Sequence, residues 1–92
     1  MFSIQYNLPS DNGVEKGTLP AATYKATVTG LNGSETVLVE TWNGSAWTTA
    51  ATLAAAVSGI IGGTSVVIPA SGRVRCTLTA VAPAGVKVRI SA

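Results

Sequence analysis

The sequence predicts an all-β domain, an antiparallel β-sandwich or jelly roll of seven to eight short strands. Apolar and polar residues alternate with a period of two in five separate stretches, which is typical of strands that bury one face. Turn signals containing Gly, Pro or Asn separate these stretches at intervals of about eight to twelve residues. No long stretch has the apolar spacing of an amphipathic helix. Together these observations favour two packed sheets over any helical architecture.

The composition predicts one domain with an unusual surface. The chain has 92 residues, which is the size of a single domain spanning 1–92. Only 11% of the residues are charged, against about 25% in an ordinary soluble domain. Thr, Ala, Ser and Gly must therefore cover most of the surface. Such a surface favours contact with another protein, and a Thr- and Ser-rich solvated surface on a monomer is the alternative.

The first strand is predicted over residues 2–8, where every second residue is apolar: Phe2, Ile4, Tyr6 and Leu8. Pro9 ends this strand, residues 10–13 form a turn, and residues 14–22 form a loop. The N-terminal stretch has neither a basic start nor a long apolar run, so we do not expect a signal peptide.

The next two strands are predicted to form a hairpin around Asn32 and Gly33. This dipeptide suits a type I′ turn, which needs positive φ at both central residues. The resulting register places Val28 opposite Val37, and it also pairs two further sets of inward residues. These further pairs are Ala26 with Val39 and Tyr24 with Thr41. The turn signal and the hydrophobic pattern select the same register.

The following turn, residues 43–46, allows two registers. A two-residue Asn-Gly turn pairs Trp47 with Glu40. The hydrophobic pattern instead places the more apolar alternate residues on the core face, which requires an odd-length loop or a β-bulge. These residues are Trp47, Thr49, Ala51 and Leu53. We favour the hydrophobic pattern, which makes Trp47 a core residue and leaves Trp42 on the outward face with Leu38.

Residues 54–63 are the most ambiguous part of the chain. Residues 54–57 are compatible with one helical turn, and Ile60 with Ile61 fit either a short strand or an apolar loop between glycines. A strand is predicted over 65–68, where Pro69 stops it, and a turn over 70–72.

The last two strands are predicted to form a second hairpin. Residues 73–81 alternate, and the Pro-Ala-Gly turn at 83–85 fits a three-residue loop with a bulge. This register places Leu78 opposite Ile90 and Ala80 opposite Val88. The predicted core therefore comprises Val28, Val37, Val39, Leu78, Val88 and Ile90.

The residue types present argue against catalysis. The chain has no His, and its single cysteine, Cys76, lies on the apolar face of its strand, where a buried thiol is the expected state. Glu35 and Glu40 have opposite strand parity, so they cannot act as a carboxylate pair. The sequence therefore predicts no enzyme, and no catalytic, cofactor-binding or metal-binding residues.

Nucleic acid and membranes are also disfavoured as partners. The net charge is +2, and four cations are predicted to share the outward face of the last hairpin: Arg73, Arg75, Lys87 and Arg89. This face lacks the aromatic residues that stack on bases, so a solvated face or salt bridges to a protein are expected. The uncharged run 50–70 contains too many Ser, Thr, Pro and Gly residues for a spanning helix.

Three segments together resemble the small β-sandwich proteins of tailed bacteriophage virions, especially head decoration (cement) proteins. They are the strand–turn–Trp run 35–47, the run Val-Val-Ile-Pro-Ala-Ser-Gly-Arg-Val-Arg-Cys-Thr-Leu-Thr-Ala at 66–80, and the closing Val-Lys-Val-Arg-Ile at 86–90. The resemblance covers about residues 23–92.

The resemblance implies a structural protein that binds the outer capsid surface, as a homotrimer or homodimer, and bridges major capsid subunits. The expected location is the virion, assembled in the host cytoplasm. We expect Trp42, Ile60 and Ile61 to form the protein interface, because the sheet pattern leaves these large apolar residues without a clear burial site. The alternative function is a carbohydrate- or receptor-binding module of a tail fibre or a secreted protein.

Overall fold

The computed structural model describes residues 3–31, 35–54, 64–79 and 85–91. Within these residues the chain forms seven antiparallel strands and no helix, which confirms the predicted all-β class. The strands are β1 (Ser3–Leu8), β2 (Ala22–Thr29), β3 (Thr36–Trp42), β4 (Trp47–Ala54), β5 (Thr64–Ile68), β6 (Val74–Leu78) and β7 (Val86–Ser91).

The strands form two sheets. The four-stranded sheet has the order β1-β7-β2-β5, and the three-stranded sheet has the order β4-β3-β6. Each sheet turns one apolar face inward, and the inward side chains of both sheets form one core cluster. This is the arrangement of a small β-sandwich.

The core consists of alternate residues from each sheet and includes two buried tyrosines. Tyr6 is fully buried, and its hydroxyl donates a hydrogen bond across the sandwich to the Val74 carbonyl oxygen at 3.2 Å. Tyr24 is also buried and donates to the Pro20 carbonyl oxygen at 2.8 Å. Both hydroxyls are therefore satisfied, as buried phenols usually are.

The predicted hairpin between β2 and β3 is wrong. These strands lie in different sheets: β2 pairs with β5 and β7, while β3 pairs with β4 and β6. Val28 lies opposite Val88 of β7 rather than opposite Val37, and the other two predicted pairs fail in the same way. The predicted faces are confirmed, since Val28 and Val37 are both buried. Alternation determines which face a side chain occupies, and it does not determine the neighbouring strand.

The predicted hairpin between β6 and β7 is wrong for the same reason. Leu78 lies opposite Val37 of β3, and Ile90 lies opposite Ala26 on one side and Ile4 on the other. The five other predicted core residues are fully buried, whereas Leu78 at the end of β6 is only partly buried against the cluster.

Close contact between the two cross-sheet connections explains one glycine. Gly30 follows β2 with φ +92°, and a Cβ atom at this position would lie 2.6 Å from the carbonyl oxygen of Gly85, which precedes β7. No other residue tolerates both the positive φ and this approach. Glycine is therefore the residue required at position 30, where the chain leaves the four-stranded sheet after β2.

The β3–β4 hairpin is formed, and it contains a β-bulge, one of the two irregularities that the hydrophobic pattern allowed. Val39 pairs with Ala51 and Glu40 with Thr49, so Ala50 is the extra residue on β4. Beyond the bulge Leu53 joins the core, as predicted. Between the bulge and the turn, the alternate residues that were predicted to face the core face outward instead, and Trp47 is one of them.

The loop after β1 covers the free edge of β6. The Gly13 amide donates to the Cys76 carbonyl oxygen at 2.8 Å, and the Leu78 amide donates to Asn12 Oδ1 at 2.7 Å. An edge strand that is covered in this way is not available to pair with another chain. The same loop brings Glu15 to the outer side of the three-stranded sheet.

Several predictions fall outside the described residues. They concern Phe2, the Asn32-Gly33 turn, residues 55–57 of the proposed helical turn, Ile60 and Ile61, and Ala80 with the start of the turn at 83–85. Ala54, the first residue of that proposed turn, is the last residue of β4. Among the described residues no helix is long and apolar enough to cross a membrane.

Candidate interface on the three-stranded sheet

Two tryptophans lie side by side on the outward face of the three-stranded sheet. Trp42 ends β3, Trp47 begins β4, and the two residues are register partners. Their ring centroids are 5.5 Å apart, and the planes are inclined at 65° in an edge-to-face arrangement. Both side chains are partly exposed. The outward position of Trp42 is confirmed.

The prediction that Trp47 belongs to the core is wrong. The bulge at Ala50 lies between Trp47 and Leu53, so the two residues face opposite sides of β4. The hydrophobic pattern required either an odd-length loop or a bulge. The structure has a bulge at Ala50, and the position of this bulge along the strand decided which residues turned inward. A bulge before Trp47 would have buried the ring, whereas a bulge after it places the ring beside Trp42.

The turn between the tryptophans is held by Asn43. Its Oδ1 accepts hydrogen bonds from the amides of Ser45 and Ala46, each at 2.9 Å, and its own amide donates to the Ala46 carbonyl oxygen at 3.1 Å. Gly44 adopts φ +103° without any steric contact. This four-residue loop fixes the separation of the two rings.

Two arginines of the β6 side cover the tryptophan rings. The Arg73 guanidinium carbon lies 4.8 Å from the ring centroid of Trp42 and 5.2 Å from that of Trp47. The Arg75 guanidinium carbon lies 4.3 Å from the ring centroid of Trp47. These distances are within the range of cation–π attraction. We refer to Trp42, Trp47, Arg73 and Arg75 as the Trp–Arg cluster.

Carboxylates hold both arginines in place. Glu15 forms a bidentate ion pair with Arg73, with N···O distances of 2.8 and 2.9 Å. Glu40 accepts from Arg75 Nε at 2.9 Å and from the Thr77 hydroxyl at 2.6 Å. Hydrogen bonds from the Arg73 guanidinium lower the pKa of the Glu15 carboxyl below its ordinary value.

Backbone contacts fix the end of β3 against the start of β6. The Trp42 amide donates to the Arg73 carbonyl oxygen at 3.2 Å, and the Ser71 hydroxyl donates to the Trp42 carbonyl oxygen at 2.6 Å. Thr18 of the covering loop forms a β-bridge with Arg73. Together with Glu15 and Glu40, the Trp–Arg cluster is therefore an ordered patch with two paired charges of each sign, assembled from four separate parts of the chain.

Neither an exposed thiol nor a cluster of metal-ligating side chains occurs among the described residues. Cys76 is fully buried, and burial raises the pKa of its thiol to about 12, so the reactive thiolate is absent near neutral pH. Within the described ranges no group of three or more His, Cys, Asp or Glu side chains could hold a metal ion.

The predicted basic face is divided between the two sheets. Arg75 lies on β6 of the three-stranded sheet and Arg73 directly precedes this strand, and both are paired with carboxylates. Lys87 and Arg89 instead lie on the outward face of the four-stranded sheet. The prediction that all four share one face is therefore wrong, because β6 and β7 are not sheet neighbours.

The structure brings one of the three predicted interface residues into a cluster. Trp42 lies in the Trp–Arg cluster, whereas Ile60 and Ile61 lie outside the described residues. Sequence reasoning did not assign Arg73 and Arg75 to the same site as Trp42. The two-residue spacing of Arg73 and Arg75 indicated that they share a face, but no pattern in the sequence indicated that β6 pairs with β3.

Three comparisons were made, with protein-family models, with curated proteins and with solved structures, and none of them found a match.

Proposed function

We propose that the protein is a structural component of a virion that binds the outer surface of a bacteriophage head and bridges neighbouring major capsid subunits. The observation that carries this proposal is the Trp–Arg cluster on the outward face of the three-stranded sheet. Tryptophan and arginine are the residue types most enriched among binding hot spots. The resemblance of residues 23–92 to head decoration proteins supplies the identity of the partner.

The cluster is suited to protein contact because it is already ordered. Each guanidinium is held by a carboxylate and by a ring, so a partner that covers it immobilises few additional side-chain rotamers. Both arginines are also charge-paired before contact. A partner can therefore bury the patch without leaving an isolated charge away from water.

Binding to a repeating shell would add strength to a single weak contact. A homotrimer or homodimer presents the same patch two or three times, and a symmetric lattice offers matching sites. Simultaneous engagement of several sites raises the overall affinity without any new contact type. The low charge of the chain, 11% of residues, is consistent with a surface that is partly covered in use.

Co-sedimentation with empty heads that lack the protein tests this proposal. We expect the wild-type protein to pellet with the heads and Trp42→Ala to lose at least about tenfold in affinity, as expected for a hot-spot tryptophan. Val67→Ala is the control, because Val67 is 64% exposed on the opposite sheet. Wild-type protein that remains in the supernatant at every concentration contradicts the proposal. Equal binding by Trp42→Ala and Val67→Ala contradicts the choice of the Trp–Arg cluster.

The pair of adjacent tryptophans favours one second candidate, a carbohydrate- or receptor-binding module. Sugar platforms use coplanar exposed rings, whereas these two rings are inclined at 65° and partly covered by guanidinium groups. Tyr6 and Tyr24 are buried and cannot extend the platform. A saturable change in tryptophan fluorescence with oligosaccharides, in a protein that does not bind heads, would favour this candidate.

A further inference from the structure

The charges of this protein are separated between its two faces. The segments outside the described residues contain no charged side chain, so all ten lie in described parts of the chain. Three cations are neutralised in ion pairs on the side of the three-stranded sheet and its covering loop. These pairs are Lys16 with Asp11, Arg73 with Glu15 and Arg75 with Glu40.

The three remaining cations share the outward face of the four-stranded sheet. Lys87 and Arg89 are alternate residues of β7, and Lys25 is on the neighbouring strand β2. All three are exposed, and none of them forms an ion pair among the described residues. The fourth acidic residue, Glu35, is buried and belongs to the other side of the sandwich. We refer to Lys25, Lys87 and Arg89 as the basic face.

Hydrogen-bonding side chains surround the basic face. Arg89 and Lys87 are each flanked in register by a residue of β1 and a residue of β2, and all four flanking residues are exposed. These flanking residues are Gln5, Asn7, Thr27 and Thr29. Lys25 donates to the Ser65 hydroxyl at 2.9 Å. The face is thus cationic and rich in side chains that can donate hydrogen bonds to carboxylate oxygens.

We propose that this basic face binds an acidic protein surface. Residues of like parity on one strand are about 7 Å apart, so Lys87 and Arg89 match carboxylates that repeat at a similar spacing on an extended segment. Charge complementarity selects such a partner, because three of the four acidic side chains are already held in ion pairs and the fourth, Glu35, is buried. The inference concerns the sheet opposite the Trp–Arg cluster and does not depend on the proposed virion role.

An acidic protein fits this face better than a nucleic acid. Nucleic-acid surfaces combine several phosphate contacts with aromatic residues that stack on bases. Here three cations are interspersed with Thr, Ser, Asn and Gln, and both tryptophans lie on the other sheet. Amide and hydroxyl groups at fixed sheet spacing suit hydrogen bonding to carboxylates and to a polypeptide backbone.

Binding to immobilised poly-L-glutamate at about 50 mM NaCl tests the proposal, with a single-stranded thymidine oligonucleotide of equal charge as the second probe. We expect saturable binding to poly-L-glutamate that weakens as salt is raised, because exposed ion pairs are screened. The triple variant Lys25→Gln, Lys87→Gln, Arg89→Gln should lose about tenfold in affinity, the combined effect of three exposed ion pairs.

The matched control removes one cation that lies outside both the basic face and the Trp–Arg cluster. This variant is Lys16→Gln, whose lysine is already paired with Asp11, and its affinity should stay close to that of wild type. Lys87→Gln removes the same charge from the basic face and should lose about two- to fivefold, and circular dichroism checks that both variants fold. Equal losses in Lys87→Gln and Lys16→Gln, absence of wild-type binding, or tighter binding to the oligonucleotide would each overturn the proposal.

Discussion

The guanidinium carbon of Arg75 lies 4.3 Å from the ring centroid of Trp47, although the two residues belong to strands on opposite sides of β3. Glu40 of the central strand fixes the Arg75 end of this contact through a 2.9 Å hydrogen bond. The contact therefore spans the full width of the three-stranded sheet. Side chains from all three strands are therefore in contact on the outward face of this sheet.

The first prediction concerns the contribution of this contact to stability. Trp47→Ala removes two guanidinium–ring contacts and one edge-to-face ring pair, so the free energy of unfolding should fall by about 1–3 kcal/mol. Trp47→Phe keeps an aromatic ring and should lose less. Urea unfolding measures both changes. A midpoint for Trp47→Ala that equals the wild-type value would show that the cluster does not stabilise the fold.

The second prediction uses two adjacent valines of β5 as a matched pair. Val66 is fully buried and Val67 is 64% exposed. Val66→Ala should lower the free energy of unfolding by about 1.5–3 kcal/mol, because it removes two methyl groups from a packed site. Val67→Ala should change it by no more than about 0.5 kcal/mol. Equal effects, measured by urea unfolding, would contradict the assigned orientation of β5.

The third prediction tests the strand pairing with disulfides in a Cys76→Ser background. Thr23 and Val67 are register partners on neighbouring strands, so the double cysteine variant at these positions should oxidise readily. Thr29 and Thr36 would be partners in a β2–β3 hairpin, but they belong to different sheets, and cysteines there should remain reduced. Free-thiol counting after mild oxidation distinguishes the two results. Oxidation of the pair at 29 and 36, with the pair at 23 and 67 remaining reduced, would support the β2–β3 hairpin instead.

The fourth prediction concerns acid pH. Hydrogen bonds from the Asn7 amide lower the pKa of Asp11, and those from Arg73 lower the pKa of Glu15. A carboxyl with a lowered folded-state pKa stabilises the fold at pH values above its unfolded-state pKa, which is about 3.9 for Asp and 4.3 for Glu. Stability should therefore fall as the pH drops below about 4.5.

The variant Glu15→Gln provides the control for this pH effect. It removes one of the two titrating groups, so its unfolding midpoint should depend less on pH between about 5 and 3 than that of the wild-type protein. Both carboxyls are partly exposed to solvent, so the expected differences are small. Parallel pH profiles for the two proteins would argue against a role for the Glu15–Arg73 pair in acid sensitivity.

The fifth prediction concerns thiol reactivity. Because Cys76 is fully buried and the pKa of its thiol is raised to about 12, the native protein should not react with a thiol reagent at pH 8. Full reaction with one equivalent is expected in urea. Labelling of the native protein at the rate of an exposed thiol would contradict the burial of Cys76 on β6.

Much of the local structure followed from alternation and turn chemistry. The burial of Tyr6 and Leu8 on β1 and the end of β5 before Pro69 were predicted in this way, and the bulge in β4 is one of two irregularities that the pattern allowed. These features depend on residues that are near one another in the chain. Each strand has one apolar face, and turning that face to the core is favourable whichever strand lies beside it.

The Trp–Arg cluster was predicted only in part, because its members are far apart in sequence. Trp42 was expected to face outward from its parity on β3, and that expectation is confirmed. Its contact with Arg73 depends on the pairing of β3 with β6, which joins residues about thirty positions apart. No local pattern encodes such a contact.

The sequence by itself determined the fold class and the inward or outward direction of most side chains. Only the tertiary structure decided which strands are neighbours, and so it separated β2 from β3 and β6 from β7. The physical reason is that a hairpin and a connection between sheets bury the same alternate residues. The choice between them depends on how both apolar faces pack together and on close approaches such as that of Gly30 to Gly85, which form only when the whole sandwich is assembled.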